Sequence, residues 1–209
     1  MTESIVAYDG RMSTEGSGSR RRRGETRRVM AETAAALLCE RGVAGTTIDK
    51  VLAQSGAPRG SVYHHFPGGR AELLSAAVEH AADAVVRTMR AGGEAGPAAV
   101  LDGFVDFWRR QLLASDYRAG CPVLAVAVDD DPEFPELADL AARSFARWQE
   151  ELVGILVHHG MAPGAADTLA LQALSQLEGA VVLCRAHRDM APLDAAAEAV
   201  AALHAAAAT

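Results

Sequence analysis

Arg59, Ser61, Tyr63 and His64, with Thr47 a little upstream, crowd hydrogen-bonding side chains of four different kinds into one short stretch. A guanidinium such as that of Arg59 can give two parallel N–H bonds to a guanine edge, and Gly60 beside it lets the backbone come close. Tyr63 and His64 follow as donors suited to phosphate oxygens. The Thr47 hydroxyl sits near the start of a predicted helix, a natural anion site. This is chemistry for gripping a nucleic acid.

These groups need two helices to hold them, and the residues from Thr46 to Arg70, TTIDKVLAQSGAPRGSVYHHFPGGR, supply both. Ile48, Val51 and Leu52 recur at i, i+3 and i+4, which gives the first helix one apolar face. Thr46 with Asp49 reads as its capping pair. Ser55-Gly56-Ala57 ends that helix, and Pro58 is expected to start the next, its φ already set. In the second helix Val62 and Phe66 face the core while Arg59, Gly60 and Ser61 occupy the first turn. A helix, a short turn with Gly and a second helix make the helix-turn-helix plan, whose second helix enters the DNA major groove.

With these residues in view, TTIDKVLAQSGAPRGSVYHHFPGGRAEL resembles the DNA-binding signature of the tetracycline-repressor (TetR) family of bacterial regulators. The run APRGSVYHHFPGGR, with GCPVLAVAVD further on, is similar to its LmrA-like branch. The resemblance implies that Thr47, Arg59, Ser61, Tyr63, His64 and Arg70 stand at DNA-contacting positions. It also implies a homodimer, a helical effector-binding region and repression as the usual mode. The chain departs from many relatives at Pro58, where they carry a capping Ser, and at Arg70, where they carry Lys.

The net charge of −7 divides unevenly along the chain. Up to residue 70 there are 11 basic and 7 acidic side chains, or +4; beyond it there are 9 and 20, or −11. A basic head on an acidic body suits site-specific DNA binding, with attraction at one end and repulsion elsewhere. The chain has no uninterrupted apolar run long enough for a bilayer and no apolar signal core, so a cytoplasmic protein is expected. Cys39, Cys121 and Cys184 are odd in number and lack a C-x-x-C pair, which fits a reducing compartment.

The expected fold is all-α. Residues 1–24 read as a disordered leader ending in a basic arm, Arg20–Arg23, that could follow DNA phosphates or simply remain a solvated charge run. Residues 25–69 form the DNA-binding domain, with a supporting helix from about Glu25 to Arg41 that Gly42 ends. Residues 70–209 form the effector-binding and dimerisation domain. Its helices are expected near 70–90, 97–115, 121–128, 133–158, 163–187 and 192–207. Asp129-Asp130-Asp131-Pro132 opens the fourth of these with acidic groups at its positive end; as a calcium loop the cluster lacks the right spacing and the Gly. The last two helices, rich in Ala, are expected to pair two chains as a four-helix bundle.

No enzyme motif appears: no G-x-S-x-G, no phosphate-binding Gly loop, no H-E-x-x-H. Adjacent histidines such as His64-His65 and His158-His159 point about 100° apart on a helix and chelate poorly. No metal or cofactor is expected. A small-molecule pocket is, because the body holds Phe104, Phe107, Trp108, Tyr117, Phe134, Phe145 and Trp148. The candidate lining is Phe104, Trp108, Gln111, Cys121, Phe145, Trp148, Gln149 and Gln176. Gln172 and Glu178 are further polar candidates because they also interrupt apolar helical segments. The reading is therefore a repressor that binds palindromic operator DNA as a dimer and is released by a lipophilic or aromatic effector. A constitutive DNA-binding protein without an effector, or an all-α enzyme or adaptor that has lost DNA binding, are the alternatives.

Overall fold

The computed structural model describes residues 23–129 and 131–207. The leader and the basic arm through Arg22 lie outside them. Every regular element among the described residues is helical, as expected. In chain order these are α1 (Arg23–Gly45), α2 (Ile48–Ser55), a single 3-10 turn (Arg59–Ser61) that leads into α3 (Val62–His65), α4 (Gly69–Gly93), α5 (Pro97–Ala114), α6 (Pro122–Asp129), α7 (Glu136–His158), α8 (Pro163–His187) and α9 (Ala191–Ala207).

The head is built as its pattern requires. Val51, Val62 and Phe66 have no exposure and meet Leu38, Leu73 and Leu74 in one core. Gly56 closes α2 in the left-handed region at φ 65, and its N–H donates to the Leu52 carbonyl. Only Gly takes that conformation at little cost.

Three local expectations change. The N-cap of α2 is Thr47, whose Oγ1 accepts from the Lys50 N–H at 3.3 Å; Thr46 is buried and donates instead to the Gly42 carbonyl. Pro58 is extended at ψ 142 and precedes the 3-10 turn, so the second helix starts later and is shorter than expected. Asp129 ends α6 rather than opening the next helix, and α7 begins only after Pro135. Proline pushes the residue before it out of the helical region, so Pro132 and Pro135 delay the start. The supporting helix turns at Gly42 (φ 67), where an end was expected, and resumes for one further turn to Gly45.

One continuous apolar core runs from Met30 in α1 through α4, α5, α6 and α7 to Leu193 in α9. The head is thus packed onto the body, with α4 as the shared rod. At its middle the Trp148 indole N–H donates to the Ala82 carbonyl at 3.1 Å, which ties α7 to α4. Among the described residues no helix is long and apolar enough to cross a membrane.

Candidate nucleic-acid interface and ligand cavity

The polar residues singled out in the head project from one end of the molecule. Tyr63 is 66% exposed, and His64 and Arg59 are exposed as well. Gly60 faces open space, with nothing within 4 Å of where a side chain would begin. Ser61 is half-buried and donates its hydroxyl to the Pro58 carbonyl at 2.6 Å, which leaves its oxygen free to accept. The Thr47 oxygen accepts from Lys50, so its own proton remains for a second partner. Arg59 is 4.0 Å from Asp49, an exposed pair too weakly held to fix the side chain.

Arg70 is placed differently. Its Nε donates to the Thr46 carbonyl at 3.0 Å and Nη2 to the Val43 carbonyl at 2.6 Å. Nη1 lies 3.6 Å from Glu133, and the guanidinium covers the Phe134 ring at 4.8 Å. The group therefore clamps the link between α1 and α2 to the segment before α7. Beside it, the Val43 N–H donates to Asp129 at the end of α6.

The body holds a partly open cavity of about 280 Å³ bordered by α4, α5, α7, α8 and α9. Its walls are aliphatic, with Leu101, Ile155, Leu169 and Leu174 typical, and Asp102 and His204 are its ionisable neighbours. Of the predicted lining only Phe104 belongs to it. Trp108, Gln111, Cys121 and Trp148 surround a separate void of about 20 Å³, together with Cys39. Phe145, Gln149 and Gln176 line neither space, and Gln149 donates to Asp167 instead. The aliphatic walls carried a sequence signal of their own, the stripe Leu169, Ala173, Leu174, Leu177 on α8, which also fits ordinary core.

All three cysteines are free and buried. Burial pushes the Cys39 thiol up to about 12 and raises Cys121 well above its ordinary range, so both stay protonated and unreactive at neutral pH.

A solvent-facing helix-turn-helix joined through one rod helix to a helical body defines a protein of the transcriptional-regulator class. Comparison with known proteins gives the family. Residues 31–77 match the model of bacterial regulatory proteins of the tetR family, and residues 97–199 match the C-terminal domain of LmrA/YxaF-like transcriptional regulators. The HTH-type transcriptional regulator Rv0196 of Mycobacterium tuberculosis is 43% identical over 173 residues, covering 80% of this chain and 88% of that protein. The HTH-type regulator LmrA of Bacillus subtilis is 24% identical, covering 81% and 92%. The crystal structure of a TetR regulator from Chloroflexus aurantiacus superposes with a TM-score of 0.69 at 32% identity, over 86% of this chain and 94% of that one. The chain belongs to the TetR family of transcriptional regulators, in its LmrA-like branch.

Proposed function

We propose that this protein is a cytoplasmic, ligand-relieved repressor. Two copies pair through α8 and α9 and set their 3-10/α3 segments in successive major grooves of a palindromic operator, about 34–36 Å apart. The outward face of α8 supports the pairing: Leu171, Ser175, Gly179 and Val182 recur at helical spacing, with Leu171 54% and Val182 46% exposed. Apolar side chains in such a row favour burial against a second copy.

The observation that carries the effector reading is the 280 Å³ aliphatic cavity, which shares Met89 of α4 with the rod that supports the head. A filled core would leave no such space. Within the head, Arg59, Gly60 and Ser61 read base edges while Thr47, Tyr63 and His64 hold phosphates. The Arg70 and Asp129 contacts carry the body's state to the link between α1 and α2. A ligand acts only through unequal affinity for the two forms, and a difference of about 1.4 kcal/mol releases operator tenfold.

The test is protection of DNA flanking the protein's own gene, followed by addition of lipophilic compounds. Protection that a compound relieves supports the reading. Protection that no cavity-binding compound changes points to the constitutive alternative.

A further inference from the structure

Glu178 is the buried acid that none of this explains. It lies on α8 at 6% exposure, and neither carboxylate oxygen has an N–H or O–H partner among the described residues. The group that acts on it is the Cys121 thiol, a weak donor. Leaving a carboxylate buried and unpaired costs several kcal/mol unless it stays protonated or finds a cation. Burial does push its carboxyl up to about 7, so at neutral pH a nearby positive charge would decide its state.

Its neighbours connect it to the spaces in the body. Leu174, one turn earlier on the same face of α8, and Leu177, the preceding residue, both line the 280 Å³ cavity. Cys121 lines the small void. Glu178 lines neither: its helix neighbours Leu174 and Leu177 face the cavity, and the thiol at its carboxyl faces the void. The partition is completed by Phe104 on the cavity side and Trp108 on the void side, edge to face at 6.2 Å. The Trp108 indole N–H is buried and unpartnered too. Unsatisfied polar groups are rare in native interiors, and the Glu178 carboxylate calls for a donor or a cation; the indole N–H, itself a donor, needs an acceptor of its own.

We propose that the effector is an amphipathic amine whose apolar body fills the cavity and whose protonated nitrogen pairs with Glu178 at the Trp108 partition. The carboxylate supplies the counter-charge and the indole ring a cation-binding face. The cavity walls are mostly aliphatic and supply apolar burial; Asp102, which also lines the cavity, is the competing carboxylate that the Glu178→Gln comparison separates. This rests on the effector reading above and names the chemistry of that same site.

The test uses 4-phenylbutylamine and its neutral counterpart 4-phenylbutanol, titrated into the full chain near neutral pH and followed by the emission of Trp108 and Trp148, the only tryptophans. The amine is expected to bind at least tenfold tighter than the alcohol. Glu178→Gln is expected to erase that preference while leaving alcohol binding intact, which also shows that the variant is folded. Leu174→Phe, which narrows the cavity without adding a tryptophan, should weaken both. Equal affinity for the two compounds, a preference that survives Glu178→Gln, or no binding of either to the wild type overturns the proposal and leaves a trapped water as the partner of Glu178. Operator binding measured on the same preparation stays separate: its loss refutes the regulator reading, whereas its persistence with no amine preference refutes this inference alone.

Discussion

The backbone N–H of Val43 donates to Oδ2 of Asp129 at 3.0 Å, across 86 positions of chain. Val43 follows the bend at Gly42, just before α2, and Asp129 is the last residue of α6. A body helix thus holds the backbone that aims the reading head. A side chain at Gly42 would sit 3.2 Å from the same oxygen and at a φ of +67. Both the bond and the bend therefore depend on a small residue there.

Asp129→Ala removes this acceptor and leaves the Val43 N–H unpaired, a loss of about 1–3 kcal/mol. Thermal unfolding is expected to shift down accordingly. Operator affinity with and without effector is expected to differ less than in the wild type. An unaltered ligand response would show that Asp129 only stabilises the fold.

Arg70 distinguishes a clamp from a phosphate contact. Arg70→Lys keeps the charge but cannot reach Val43, Thr46, Glu133 and Phe134 together. Stability is expected to fall by about 1–3 kcal/mol, with the salt dependence of operator binding unchanged. A shallower salt slope with unchanged stability would instead identify Arg70 as a phosphate ligand.

Arg59→Ala and Tyr63→Ala touch exposed side chains, so helicity, thermal midpoint and dimerisation should be preserved. Arg59→Ala is expected to cost about 1–3 kcal/mol of operator binding and to relax preference at one base position. Tyr63→Ala should weaken binding alike on all sequences. Circular dichroism with anisotropy titrations checks both, and a joint loss of folding and binding would refute the surface role.

Much of this was legible in the chain because the head obeys local rules. Val62 and Phe66 inward, Arg59 and Tyr63 outward, and Gly56 in the turn all follow from spacing and backbone chemistry. What failed also failed for local reasons: two neighbouring threonines compete for one cap, and Pro132 and Pro135 outweigh an acidic start signal. The cavity was hidden by a different cause. Aromatic and amide residues drew attention, yet Gln149 turned to Asp167 and the walls were made by leucines that in sequence look like any core. A void is a property of packing between helices, which no single helix records. Glu178, by contrast, interrupts an apolar stripe as an acid, and it is buried, as is Gln111.

Glu178 also predicts a pH effect. Its carboxyl is held at about 7 in the fold against an ordinary 4.5, so between these values the fold binds more protons than the unfolded chain. Stability from this group is therefore full at low pH, falls as pH rises from about 4.5, and is lost above about 7, a span worth on the order of 3 kcal/mol. Relative to the wild type, Glu178→Gln is expected to gain stability steadily from about pH 5 to about pH 8 in thermal unfolding. A constant difference between the two proteins would show that Glu178 does not titrate in this range.

The proposed pairing through α8 is tested by Gly179→Arg, which has open space for the side chain within its own subunit. Sedimentation is expected to give a folded monomer with greatly weakened operator binding. A dimer of unchanged affinity would move the interface elsewhere.

The most direct measurement is selection of bound DNA from a random-sequence duplex pool at low salt, using the wild type and Arg59→Ala side by side. The wild type should enrich an inverted repeat with half-site centres about 10 base pairs apart, and Arg59→Ala should lose one guanine within each half. Enrichment of no sequence by the wild type, or of the same repeat equally by both proteins, would contradict a paired reading head centred on Arg59.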